Sequence, residues 1–253
     1  MPILGIIASS KEKVFSPLSL PNLKAWYDAS DTSTITGGAA VSQWNDKSPN
    51  GYHLSQATAT KKPSSGTRTL NSLNVIDFDG TNDILTAATA SDWTFLSNSS
   101  ASTAFAVFIL DDTNPSAFLT THTIGTTIGL SVYYNTELGA FVSNGTADVV
   151  YNATAQTVST GNAYAYWLTD PANATAANRS EIYYNGVLKN KNNTATATAS
   201  SSTPHYALST GGRQNDDAYS LNGAMCEIII CSGLLSATNI TKTKDYLTAK
   251  WGV

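Results

Sequence analysis

Charge is scarce in this sequence. Only 14 Lys or Arg and 18 Asp or Glu occur in 253 residues, for a net charge of −4 and a pI near 5.2. Beyond Lys61-Lys62 the cations do not cluster, which argues against nucleic acid as a partner. Cysteine is limited to Cys226 and Cys231, in the run Met-Cys-Glu-Ile-Ile-Ile-Cys. Period-two alternation in a strand puts the two on opposite faces, so both are expected as free thiols and give no disulfide argument for an oxidising compartment. The three histidines, His53, His122 and His205, lack metal-ligand spacing and a serine elbow, which removes zinc sites and hydrolytic triads. Glutamate is rarer still. Glu12, Glu137, Glu181 and Glu227 stand isolated, so the paired carboxylates of a glycosidase are missing. Asp77 and Asp79 share one strand face, but their ordinary role is to satisfy donors at the turn that follows. No apolar run approaches the roughly 18 residues of a membrane helix, and the start has no basic region of the kind that opens an export signal. We therefore expect no enzyme and no membrane partner.

Thr, Ser, Asn, Ala and Gly fill the space that charge leaves, and short β-branched and aromatic runs recur between turn residues. Leu73 to Leu85 reads as a β-hairpin, with Gly80 at the reversal and Asn82 and Asp83 bonding their own backbone. Further strands are predicted at 23–28, 104–110, 117–120, 128–134, 139–142, 148–151, 164–168, 180–184 and 187–189. The run 104–110 is apolar enough for burial on both faces. Asn185-Gly186 fits a type I′ turn, and 190–203 reads as an exposed low-complexity loop. Ser236 can cap a helix over 237–250 that ends at Gly252, with Ile240, Leu247 and Trp251 on one stripe.

Several segments resemble laminin-G-like (concanavalin A-like) sandwich domains. They are Leu23 to Asp28 with Trp26, Tyr27 and a following Asp31, then Trp44-Asn45-Asp46-Lys47-Ser48, and Phe78-Asp79-Gly80-Thr81-Asn82-Asp83. Tyr183 to Gly186 and the stretch from Gly211-Gly212-Arg213 to Glu227 and Ile230 complete the set. The resemblance implies an all-β fold: a two-sheet antiparallel jelly-roll sandwich over residues 22–253, closed by one C-terminal helix. Residues 1–21 stand apart, with Pro17 and Pro21 interrupting regular structure and four aliphatics at Ile3, Leu4, Ile6 and Ile7, and read either as an N-terminal anchoring arm and spacer or as a first strand that pairs within the domain.

Function is read from these parts. The arm resembles short N-terminal segments of tailed-phage structural proteins, and its aliphatics would bury in a partner. The expected protein is a non-enzymatic virion component, a capsid decoration or fibre-type protein held by other capsid or tail proteins, arrayed as a homo-oligomer on the particle. Adhesion to a host-surface glycan is the expected second role, with Trp93, Tyr133 and Tyr219 as candidate sugar-stacking residues. A secreted or surface bacterial carbohydrate-binding module is the alternative. Calcium is the one candidate ion, at Asp79, Asn82 and Asp83, where hard oxygens gather around a turn. No other cofactor is expected.

Overall fold

The computed structural model describes residues 14–122, 127–136, 138–154, 160–191, 195–215 and 217–253, the side chains of Thr154 and Ala218 excepted. The arm aliphatics Ile3, Leu4, Ile6 and Ile7 lie outside the described residues. In chain order, β1 (Leu23–Asp28) is followed by the short β2 (Ile35–Thr36), β3 (Gln43–Trp44) and β4 (Leu54–Ser55). Next come β5 (Ser64–Leu70), β6 (Leu73–Asp79) and β7 (Leu85–Ala87). The middle of the chain supplies β8 (Ser102–Leu110), β9 (Ser116–Thr120), β10 (Ile128–Tyr134), β11 (Leu138–Asn144) and β12 (Asp148–Thr154). Then β13 (Gly161–Thr169), β14 (Ser180–Tyr184), β15 (Val187–Lys191), β16 (Ser209–Thr210) and β17 (Asn222–Ser232) precede helix α1 (Ala237–Trp251).

These strands form a two-sheet antiparallel sandwich. The first sheet runs β15-β14-β13-β8-β17-β6-β5, with β1 also paired to β17. The second runs β12-β11-β10-β9-β16-β7-β4-β3-β2. Between them lies a core that includes Trp44, Phe108, Phe118, Trp167 and Ile228, with Phe108 and Phe118 stacked at 4.4 Å. Helix α1 covers the other face of the first sheet, where Leu247 and Trp251 pack among Phe105, Val107, Tyr166 and Ile229. Strand β8 is therefore buried along its whole length, as its unbroken apolar run requires. Both helix caps form as expected: the Ser236 side chain accepts from Asn239 N–H, and Gly252 takes a left-handed φ of 70°.

Three expectations are corrected. Leu73 to Leu85 is not a hairpin, because β6 pairs with β5 and β17 while β7 pairs with β4 and β16. The Gly80 turn instead hands the chain from one sheet to the other. Cys226 and Cys231 are free and buried, but on the same face. A bulge between Met225 and Glu227 inserts one extra residue into β17 and reverses its alternation. The third concerns 190–203: β15 continues to Lys191, Ala195 is buried, and Ala197 and Ala199 pack on the core. Arg179 holds that segment by donating to the carbonyls of Val149 and Ala197. Packing also begins before residue 21, since Phe15 meets the Tyr246 ring at 5.7 Å and Leu20 is buried.

Candidate functional site

The segments that carry the family resemblance build scaffold. Asp46 accepts from the backbone N–H groups of Trp26, Ser48 and Tyr52 at 2.9, 2.8 and 3.0 Å, tying the connection from β3 to β4 to β1. Glu227, fully buried, accepts from the indoles of Trp26 and Trp251 and from the Tyr246 hydroxyl, and pairs with Lys250 at 2.8 Å. Lys250 also reaches Asp28, whose carboxyl is held below its usual range by hydrogen bonds from Lys250, Ser30 and Lys47 that outweigh the cost of burial. Bonded this fully, these charges fasten α1 and β1 to β17 and leave nothing for a ligand.

The outer face of the second sheet is different. Alternation along β10, β11 and β12 turns Ser131, Tyr133, Phe141 and Tyr151 away from the core, while Leu130, Val132, Ala140 and Val142 point into it. Register sets Ser131 opposite Phe141, and Phe141 opposite Tyr151. His122, at the end of β9, and Arg213 and Tyr219, in the connection from β16 to β17, close the sides of a cleft of about 250 Å³. Its rings meet edge to face: Tyr133 and Tyr219 at 5.9 Å, Phe141 and Tyr151 at 6.4 Å, His122 and Phe141 at 4.9 Å. The Arg213 guanidinium lies 3.3 Å from the Tyr219 ring centre. No carboxylate lines the cleft among the described residues.

Tyr133 and Tyr219, both read from the sequence as sugar-stacking candidates, are thus brought together. Trp93 is not. It is fully buried beside Tyr52 and Phe95, where no ligand can stack, and this corrects its assignment. His122, Phe141, Tyr151 and Arg213 were missed. The signal available was the period-two alternation along β10 and β11, which separates the aliphatics Leu130, Val132 and Val142 from Ser131, Tyr133 and Phe141 on the opposite face.

Asp79, Asn82 and Asp83 do meet at one turn, but mainly to fold it. Asp79 Oδ1 accepts the N–H groups of Thr81 and Asn82, and Asp83 Oδ2 accepts that of Asp79 at 3.1 Å. Burial, then the Asp79 charge, push the Asp83 carboxyl up to about 6. Among the described residues no group of three His, Cys, Asp or Glu side chains could hold a metal ion.

No family model matches the chain, and no curated protein matches its sequence. Solved structures do match in shape. Domain 4 of AbnA, a GH43 extracellular arabinanase from Geobacillus stearothermophilus in complex with arabinotriose, superposes with a TM-score of 0.56 at 14% identity, covering 88% of this chain and 98% of that one. An arabinofuranosidase complexed with arabinofuranosyl-alpha-1,2-xylobiose gives 0.59 at 14% identity over 84% of this chain and 51% of its own. A Trypanosoma rangeli sialidase in complex with sialic acid gives 0.53 at 12% identity over 91% and 34%. The likeness is one of fold. This chain spans about half of the arabinofuranosidase chain and a third of the sialidase chain.

Proposed function

We propose that the chain is a non-catalytic glycan-binding module whose ligand lies in the cleft on the outer face of the second sheet. The observation that carries this reading is a recess of aromatic rings with Ser131, His122 and Arg213 at its margin and, among the described residues, no paired acids to cleave a glycosidic bond. Aromatic faces supply stacking for the C–H side of a sugar, and the polar groups supply orientation. The arabinanase domain of the same fold, named in complex with arabinotriose, supports the reading by analogy. A glycan array followed by calorimetry tests it. Saturable binding should weaken at least about tenfold in Tyr219→Ala and in Tyr151→Ala, the scale of one lost aromatic contact. Binding by no glycan, or binding indifferent to both substitutions, would sink it.

A second reading concerns where the module is displayed. Val14, where the described chain begins, is 87% exposed and neighbours Tyr246 of α1, on the side of the sandwich opposite the cleft. An arm leaving there, with Ile3, Leu4, Ile6 and Ile7 seated in another protein, would hold the cleft outward. We propose a virion as that setting, with capsid or tail proteins as partners and several copies adding avidity. Deleting residues 1–13 should leave the fold and glycan binding intact and abolish incorporation into particles; unimpaired incorporation would refute the anchor.

A further inference from the structure

The register of the second sheet pairs Tyr133 with Gly139, and Gly139 in turn with Ala153. The Tyr133 ring uses the space this leaves. A Cβ on Gly139 would stand 2.9 Å from Tyr133 Cζ and 3.1 Å from both Cε1 and the hydroxyl, so the ring lies across the neighbouring strand instead of standing up from its own. Any side chain at 139 would lift it. Tyr133 thereby becomes a floor against the sheet. At one end of that floor stands Tyr219, its plane turned 86° from that of Tyr133. Tyr219 is fixed from two directions, by the Arg213 guanidinium on its face and by a 2.9 Å hydrogen bond from Asn135 Nδ2 to its hydroxyl. The recess so bounded holds about 250 Å³, below the roughly 300–1,000 Å³ of sites for drug-sized ligands.

From this geometry, and resting on the glycan-binding reading above, we infer that the cleft takes a single sugar ring at the end of a chain or branch, stacked on Tyr133, and that Gly139 is the positioning residue for that platform. The volume admits one ring and little more. The Tyr219 wall blocks continuation of the chain on its side, so an internal sugar would have to displace it.

The experiment titrates the full chain with methyl glycosides of glucose, galactose, mannose, xylose and arabinose, and with linear tetrasaccharides of the same sugars. Saturation-transfer NMR gives the affinity and the contacts, and ring-current shifts of the residue 139 Hα protons report the Tyr133 ring before any ligand is added. One methyl glycoside should bind within about threefold of the tetrasaccharide that ends in it. Gly139→Ala should keep its thermal midpoint, since the clash is with the far end of a rotatable side chain, yet lose the Hα shift and at least tenfold in affinity. Tyr133→Ala should lose both the shift and at least tenfold in affinity. A tetrasaccharide that binds more than tenfold tighter than every methyl glycoside overturns the single-ring inference while leaving the glycan reading in place. Gly139→Ala binding like the parent overturns the positioning role. If no probe binds, the glycan reading fails and this inference with it.

Discussion

Trp251, on the last turn of the only α-helix among the described residues, donates its indole N–H to Glu227 at 2.7 Å, although Glu227 sits in the middle of the central strand β17. With Trp26 on the other carboxylate oxygen and Lys250 alongside, the pair welds the helix to the sheet. Glu227→Ala should leave the Trp26 and Trp251 indole donors and the Tyr246 hydroxyl without their buried acceptor, while Lys250 keeps Asp28, and cost about 2–4 kcal/mol in urea unfolding. Glu227→Gln keeps an acceptor and should cost less. Equal stability of all three proteins would show that the network is idle.

Asp83 gives a pH prediction. Its folded pKa of about 6 lies above the ordinary 3.8, so between these values the folded chain holds a proton that the unfolded chain has released. Stability from this group therefore falls as pH rises from about 4 to 6, and is recovered on acidification through that window. Asp83→Asn, which keeps an oxygen to accept the Asp79 N–H, should remove this dependence. The measurement is the difference between parent and variant unfolding curves at pH 4 and pH 7, because Asp28, with its lowered pKa, loses stability in the opposite direction as pH falls. No difference between the curves would refute the assignment.

Gly211 is demanded by one ring. It has φ of +85°, and a Cβ there would fall 2.0 Å from Phe78 Cε1 in the core. Gly211→Ala should therefore combine backbone strain with overpacking and cost about 2–5 kcal/mol by chemical denaturation.

Trp93 offers a contrast. Its indole N–H is enclosed and finds no acceptor among the described residues. Trp93→Phe should be close to neutral and leave glycan affinity unchanged, whereas Trp93→Ala should cost about 3–5 kcal/mol. Loss of glycan binding in a folded Trp93→Phe protein would reinstate the residue as a contact.

Calcium makes the last test. Because the Asp79 and Asp83 oxygens already accept backbone N–H groups, millimolar calcium or a chelator should leave the thermal midpoint unmoved. A rise with calcium, lost in Asp79→Asn, would show that the turn holds an ion.

Local chemistry made much of the fold legible. The type I′ turn at Asn185-Gly186, with φ of 48° and 77°, and the caps at Ser236 and Gly252 each follow from residues within four positions of one another. Strand β10 falls where alternation put it. What failed was non-local. Whether Gly80 returns the chain beside β6 or sends it to the other sheet depends on β5 and β17 already occupying both sides of β6, which no window around Gly80 contains. The cysteines misled because one extra residue at the β17 bulge inverts every later position. In the cleft, Tyr133 and Tyr219 were readable as aromatics, but their meeting joins β10 to a loop some 80 residues on, and the same reasoning admitted Trp93, whose burial is decided by Tyr52 and Phe95.

Strand β17 ends at Ser232 and pairs with β8, β6 and β1, all made well before it. A nascent chain thus carries an empty slot in the centre of its first sheet until residues 222–232 have left the ribosome. Until then, strands with unpaired edges wait in a state exposed to aggregation. Loss of residues 222–253 would remove this keystone and leave β1, β6 and β8 without their shared partner.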